Sequence, residues 1–166
     1  MSDKKVTVIG GGLAGVEAAN QLAKRGIKVT LYEMKPQKFS PAHKSQNLAE
    51  LVCSNSLKAE RIGSAAGLLK AEMRLFDSVC LTAADIAKVP AGGALAVDRD
   101  IFSTEITKTI EADKNITLIR EEVTEIPEAD VVIIAAGPLI SDALAEKVGE
   151  LCGKSFLAFY DAAAPI

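Results

Sequence analysis

Three features of the chain predict an α/β fold built around a parallel sheet. The first is a short apolar run, Val6-Thr7-Val8-Ile9, that leads into Gly10-x-Gly12-x-x-Gly15. The second is the amphipathic stretch behind those glycines, which ends at Gly26 and gives way to a second apolar run closing on Tyr32-Glu33. The third comes late: Val131-Val132-Ile133-Ile134 runs into Ala135-Ala136-Gly137-Pro138. Apolar runs without alternation suit strands buried on both faces, as a helix-covered parallel sheet requires.

Taken in order, Val6–Ile9 is a strand and Gly10 lets the chain turn sharply after it. Gly12 lacks the Cβ that would obstruct a pyrophosphate, and Gly15 allows the next helix to pack close on its strand. That helix directs its first N–H groups and the positive end of its dipole at the ligand. Gly10, Gly11, Gly12, Leu13, Ala14 and Gly15 thus form a phosphate cradle. Ala18, Ala19, Leu22 and Ala23 give the helix a small apolar inner face, and Gly26 stands where a C′ glycine ends it. Ile27–Tyr32 is the second strand, and Glu33 at its end is placed to accept hydrogen bonds from ribose hydroxyls. An acid there disfavours a 2′-phosphate, and with it NADP in this pocket; FAD and NAD both remain open. A tight βα turn with no ligand would need the glycines alone, whereas here strand, helix and acid follow in the order a dinucleotide site requires.

Residues 35–65, rich in Pro, Ser, Asn and Lys, form a long loop of the kind that is either functional or disordered. Ala66–Phe76 is predicted as a helix with Leu68, Leu69, Met73 and Phe76 facing inward. Val89–Gly93 is a turn, Ala94–Val97 a brief strand, and Asp98 the cap of a helix to about Ala112 with Phe102, Ile106 and Ile110 as its apolar stripe. Ile116–Ile119 and Glu121–Ile126 are predicted strands, Val131–Ala135 a buried one, and Ser141 begins a helix ending near Gly153. Ala136 and Gly137 either bring the backbone close to a cofactor or serve packing alone.

With 166 residues, 49% of them hydrophobic, and a formal net charge of −3, the chain suits one domain with a sizeable core. It contains no membrane-length apolar run and no signal peptide ahead of the first strand, which points to the cytoplasm. Three scattered cysteines, Cys53, Cys80 and Cys152, match neither a disulfide framework nor a metal site. Cys80 and Cys152 sit in apolar runs and are expected in the core. Between Lys35 and Arg74, seven basic residues face three acids, so the rest of the chain carries −7. Such an excess marks either a face for an anionic partner or a solvated surface; with Phe39 its only aromatic, the segment does not itself argue for nucleic acid. Glu17 is expected to be solvated, and Arg99 either to meet a phosphate or to pair with an acid in a structural part, the second being favoured.

A buried strand ending in small residues and glycine, at this distance from the glycine turn, resembles the two-dinucleotide-binding-domain flavoproteins, with Ala136 where their pattern has Thr. The resemblance favours FAD over NAD and a Rossmann-like FAD-binding domain. It narrows at Tyr32-Glu33-Met34-Lys35-Pro36, Ser40-Pro41-Ala42-His43, Val52-Cys53-Ser54-Asn55-Ser56-Leu57, Val89-Pro90-Ala91-Gly92-Gly93 and Tyr160-Asp161-Ala162-Ala163-Ala164-Pro165-Ile166. Together these resemble the folate- and FAD-dependent tRNA (uracil-5-)-methyltransferases across essentially the whole chain. The related glucose-inhibited division protein A family, which modifies wobble uridines, shares the glycine turn but is less similar in these strings.

The resemblance implies C5-methylation of the T-loop uridine of tRNA, with methylenetetrahydrofolate as one-carbon donor and NAD(P)H reducing the flavin. It implies that Gly10–Gly15 hold the FAD pyrophosphate, that Glu33 holds the adenosine ribose, that Val123 touches the adenine and that Ala136 and Gly137 lie near the pyrophosphate. Cys53 is implied near flavin and substrate, as nucleophile or helper, since the family carries a further cysteine beyond the position of Ile166. Read without the resemblance, Cys53 is either a small buried hydrophobe or, from its polar loop setting near Lys44 and Lys58, a functional thiol. Ser54 and Asn55 are implied as its hydrogen-bonding neighbours, and His43 as a substrate-loop residue. No metal and no membrane are implied, and NADH against NADPH and the oligomeric state stay open. Residues 1–166 are expected to be the N-terminal part of the FAD-binding domain, with its insertion and C-terminal parts absent, binding FAD weakly and not methylating by themselves. The alternatives are an FAD-dependent NAD(P)H oxidoreductase acting on a small molecule, a wobble-uridine modifier, and a non-catalytic dinucleotide-binding module.

Overall fold

A computed structural model describes residues 4–153, so the Tyr160–Ile166 string lies outside the described residues. The elements follow as β1 (Val6–Ile9), α1 (Leu13–Lys24), β2 (Val29–Tyr32), β3 (Ser56–Ala59), α2 (Ala65–Leu75), α3 (Val79–Ala87), β4 (Lys88–Val89), β5 (Ala94–Val97), α4 (Arg99–Ala112), β6 (Ile116–Ile119), β7 (Val131–Ile134) and α5 (Asp142–Leu151). The α/β expectation holds. Four parallel strands pair in the order β6-β2-β1-β7, with Val6 opposite both Val29 and Val131, and Val29 opposite Ile116. From β1 the chain moves outward through β2 to β6, then returns to the far side of β1 as β7. That reversal makes the carboxyl ends of β1 and β7 a topological switch point, where open α/β sheets bind ligands.

α1, α3 and α4 pack on one another, with α1 against β2 and α4 against β6. Val8, Val16, Leu31, Phe102, Ile106 and Ile110 are fully buried in the resulting core. Each side chain of this size contributes about 1.5–3 kcal/mol on burial. α1 ends as predicted: Gly26 has φ +74°, its N–H reaches Ala23 O at 2.9 Å, and the Ile27 N–H reaches Leu22 O at 3.1 Å. Those two bonds are a Schellman motif, which satisfies the last carbonyls of the helix. Asp98 caps α4 through the N–H groups of Asp100 and Ile101.

Several expectations fail for identifiable reasons. Most of the predicted inward stripe of α2 faces outward: Leu68, Leu69 and Phe76 are exposed, Met73 alone packs against the core, and the fully buried residues are Gly67 and Lys70. A Cβ on Gly67 would lie 1.9 Å from Arg61 O, so the helix sits on its glycine face. Lys70 folds over that contact to donate to Ala59 O and Ala66 O. No strand forms over residues 121–126; the segment after β6 instead crosses toward β7, and its residues line a cleft. β7 is half-buried rather than buried, because it is the edge of the sheet. β3 lies inside the predicted loop and joins β5 and β4 in a small antiparallel sheet. Cys80 is buried as expected, and burial beside the Glu17 carboxylate pushes its thiol far up; Cys152 is exposed, at the end of α5, and not in the core. Glu17 is tied down rather than solvated: it accepts from Ser78 Oγ at 2.7 Å and from the Cys80 N–H at 3.3 Å. It thereby places an anion at the N-terminus of α3, a favourable position.

Candidate nucleotide-binding site

The two glycine signals, more than 120 residues apart in sequence, meet at the switch point. Ala135 N–H donates to Ile9 O at 2.8 Å, extending the β1–β7 ladder, and Gly10 N–H donates to Tyr32 O at 2.8 Å on the other side. Gly10 has φ +103°, and a Cβ there would sit 2.7 Å from the Ala136 Cα, so only glycine fits. A Cβ on Gly15 would lie 1.8 Å from Gly10 O, which is the close helix–turn contact the spacing predicts.

Gly12 behaves differently. A Cβ there would meet no protein atom within 4 Å, so nothing in the described residues needs a glycine at that position. It caps α1, whose first internal bond runs from Val16 N–H to Gly12 O. The N–H groups of Leu13, Ala14 and Gly15 therefore have no helical acceptor. Donors, helix dipole and open space coincide, and they fit the pyrophosphate of a dinucleotide.

Beside this turn lies a cleft of about 620 Å³, counting its open mouth. Gly10, Gly11, Gly12, Glu33, His43, Val123 and Ala136 line it, together with Tyr32, Lys35, Ala49, Glu50, Glu122, Leu139, Ile140 and Ser141. The Glu33 carboxylate is buried; one oxygen accepts from the Gly11 N–H at 2.9 Å, the other from the Lys35 N–H at 3.0 Å. Each oxygen keeps a second lone pair, so the carboxylate is oriented yet still able to accept from a ligand. Gly137, with φ +66°, opens a short 3₁₀ turn behind Ala136.

The segment 43–50 forms the opposite wall as a strap. Ala49 N–H donates to Gly11 O at 2.8 Å, Leu48 N–H to Thr107 Oγ1 at 2.9 Å, and Asn47 Nδ2 to Ser103 and Thr104 on α4. Lys35 is buried beneath it, with Nζ donating to Asn47 O at 2.8 Å and pairing with Glu50 at 3.3 Å. Burial pushes the Glu50 carboxyl up, but the Lys44 and Ser45 N–H groups and the Lys35 ammonium outweigh it and hold the carboxyl low. His43 Nδ1 lies 2.7 Å from Ser40 Oγ. Burial and the Lys35 charge lower its pKa against the opposing pull of Glu50 and Glu33.

The structure does not bring every candidate together. Cys53 is exposed and outside the cleft lining; Ser54 Oγ accepts from the Ser56 N–H, and Asn55 Nδ2 donates to Val97 O at 3.2 Å, fastening the segment to β5. Nothing local in the sequence marks Lys35 as a lysine that folds inward, or Glu50 as its partner. The basic excess of residues 35–74 is not one open face: Lys35 pairs with Glu50, Lys38 with Glu122, and Arg74 with Glu60 and Asp85, while Lys70 turns inward. Among the described residues no group of three or more His, Cys, Asp or Glu could hold a metal, and no helix is long and apolar enough to cross a membrane.

The glucose inhibited division protein A family model matches residues 5–166. The chain is 63% identical over 163 residues to the methylenetetrahydrofolate–tRNA-(uracil-5-)-methyltransferase TrmFO of Aquifex aeolicus, covering 98% of this chain and 37% of that protein. It is 60% identical over 163 residues to the protein of the same name from Lactobacillus johnsonii, with the same coverages of 98% and 37%. The chain thus spans well under half the length of the curated relatives it matches. Among solved structures, Aquifex aeolicus GidA superposes with a TM-score of 0.64 at 18% identity, over 81% of this chain and 25% of that one, a likeness of fold.

Proposed function

The chain belongs to the glucose inhibited division protein A family, and on that premise we propose that it forms the FAD-binding part of a methylenetetrahydrofolate-dependent tRNA (uracil-5-)-methyltransferase. The observation that carries this reading is near-complete collinearity, at about three residues in five, with proteins of that name. The family's name specifies no reaction, so the reaction rests on these relatives. The cleft supports the cofactor half of the reading, since its donors, open glycine and oriented acid are those an FAD adenylate requires.

In this reading the Leu13, Ala14 and Gly15 N–H groups hold the pyrophosphate, with Gly10, Gly11 and Gly12 letting it approach. Glu33 accepts from the adenosine ribose, Val123 borders the adenine, and Ala136 and Gly137 close the pyrophosphate side. FAD, when bound, supplies the redox chemistry that converts the folate's one-carbon unit to a methyl group, with NAD(P)H as reductant. Uracil C5 is a poor nucleophile until a group adds at C6, and Cys53 is the thiol this chain offers there, as nucleophile or helper. His43, Ser54 and Asn55 shape the substrate side. The tRNA partner and a cytoplasmic setting belong to the same proposal.

The test is nucleoside mass spectrometry on unmodified tRNA incubated with the full-length protein that carries this sequence, FAD, NADPH and methylenetetrahydrofolate. Folate-dependent 5-methyluridine in the T-loop is the expected product. A wobble-uridine product, or NADPH oxidation without any RNA product, would replace this reading with one of the other flavoprotein activities.

A further inference from the structure

Lys35 is a buried cation that none of the roles above employs. Its connections close a ring. Gly11 N–H donates to one oxygen of Glu33 and Lys35 N–H to the other. The Lys35 ammonium then crosses to Asn47 O and Glu50 on the strap. Two residues from Asn47, the Ala49 N–H returns to Gly11 O at 2.8 Å. The circuit is tight at both ends: a Cβ on Gly11 would lie 2.5 Å from Leu48 and 2.7 Å from the Glu33 carboxylate. Lys35 itself is 2% exposed.

We infer that Lys35 is a positioning residue for nucleotide recognition: by anchoring its own backbone under the strap, it holds the Glu33 carboxylate in the orientation that reads the ribose hydroxyls. The physical argument is one of freedom. A glutamate side chain has three rotatable bonds, and a carboxylate reads two adjacent hydroxyls only when its plane is fixed. One anchor is the Gly11 amide, rigid within the turn. The other is the Lys35 amide, which lies two residues beyond Glu33 where β2 has already ended. It is held there by the ammonium at the far end of its own side chain. Glu50, fixed in turn by the Lys44 and Ser45 amides, is the counter-charge that lets the ammonium stay buried.

This inference rests on the dinucleotide reading above, and its test separates the two. The probes are ADP and 2′-deoxy-ADP, titrated into the full-length protein freed of flavin, as wild type, Lys35→Met and Lys35→Arg. Wild type is expected to prefer ADP by about tenfold, the value of one well-made hydrogen bond to a charged group. Lys35→Met is expected to bring that ratio to within about twofold of one, and Lys35→Arg to restore part of it. A merely structural role would weaken both ligands equally and leave the ratio at its wild-type value; that result, or a Lys35→Met variant too unstable to bind while Glu50→Gln keeps the full ratio, overturns the inference. Failure of wild type to bind ADP at all would instead overturn the dinucleotide reading.

Discussion

At the scale of single residues, the glycines of the turn divide by what each one is adjacent to. Gly15 touches Gly10 O, so Gly15→Ala forces backbone apart; we expect a loss of about 1–3 kcal/mol or more in thermal denaturation, the usual cost of overpacking. Gly12 touches no protein atom, so its substitution costs stability only through the helix cap, about 1 kcal/mol, and shows chiefly when ligand is present. Both glycines were legible as a pattern in the sequence, but their different roles were not, since spacing cannot say which Cβ would meet protein and which would meet ligand. Glu33 was legible for the same reason of spacing; its orienting partners, Gly11 and Lys35, emerge only from the fold. The strap adds a pH dependence. His43 has a lowered pKa in the folded chain, so the unfolded chain takes up a proton first, and stability falls as pH drops below the ordinary value of 6.5. Glu50 is lowered too; its contribution is complete above its ordinary 4.5 and is lost as pH falls through the folded value. Both act in the same direction. Denaturant titrations from pH 7 to pH 4 should show declining stability, and Glu50→Gln should flatten the decline below pH 4.5.

At the scale of elements, periodicity succeeded where one face of the helix is buried and failed where burial is set by something other than apolar side chains. α4 reads correctly because Phe102, Ile106 and Ile110 are its inward stripe. α2 misleads because its inward face is chiefly a glycine and a folded-back lysine beside Met73, leaving leucines outside. α3 left no such mark, being apolar on most sides between α1 and α4. These differences predict contrasting responses. Ile106→Ala should cost 2–5 kcal/mol in chemical denaturation, as deletions from a packed core do. Leu75→Ser, at a position 84% exposed, should change the stability of the 166-residue chain by less than about 0.5 kcal/mol.

At the scale of the whole molecule, the candidate site follows from strand order. β1 lies between β2 and β7, so the turn after β1, the acid after β2 and the small residues after β7 converge at one end of the sheet. The sequence contained each of these three signals, and the order of the strands makes them one site. The segment after β6, expected as a strand, forms none because the return path to β7 makes it cleft wall, bringing Val123 alongside the turn. The central claim is that this convergence holds FAD, and Gly12 tests it most directly. FAD should be titrated into flavin-free full-length protein, wild type and Gly12→Val, with melting temperature recorded for both. Wild type is expected to bind saturably, and Gly12→Val to bind at least about tenfold more weakly while melting within a few degrees of wild type, the cost of a poorer helix cap. Equal FAD affinity in the two proteins would overturn the assignment.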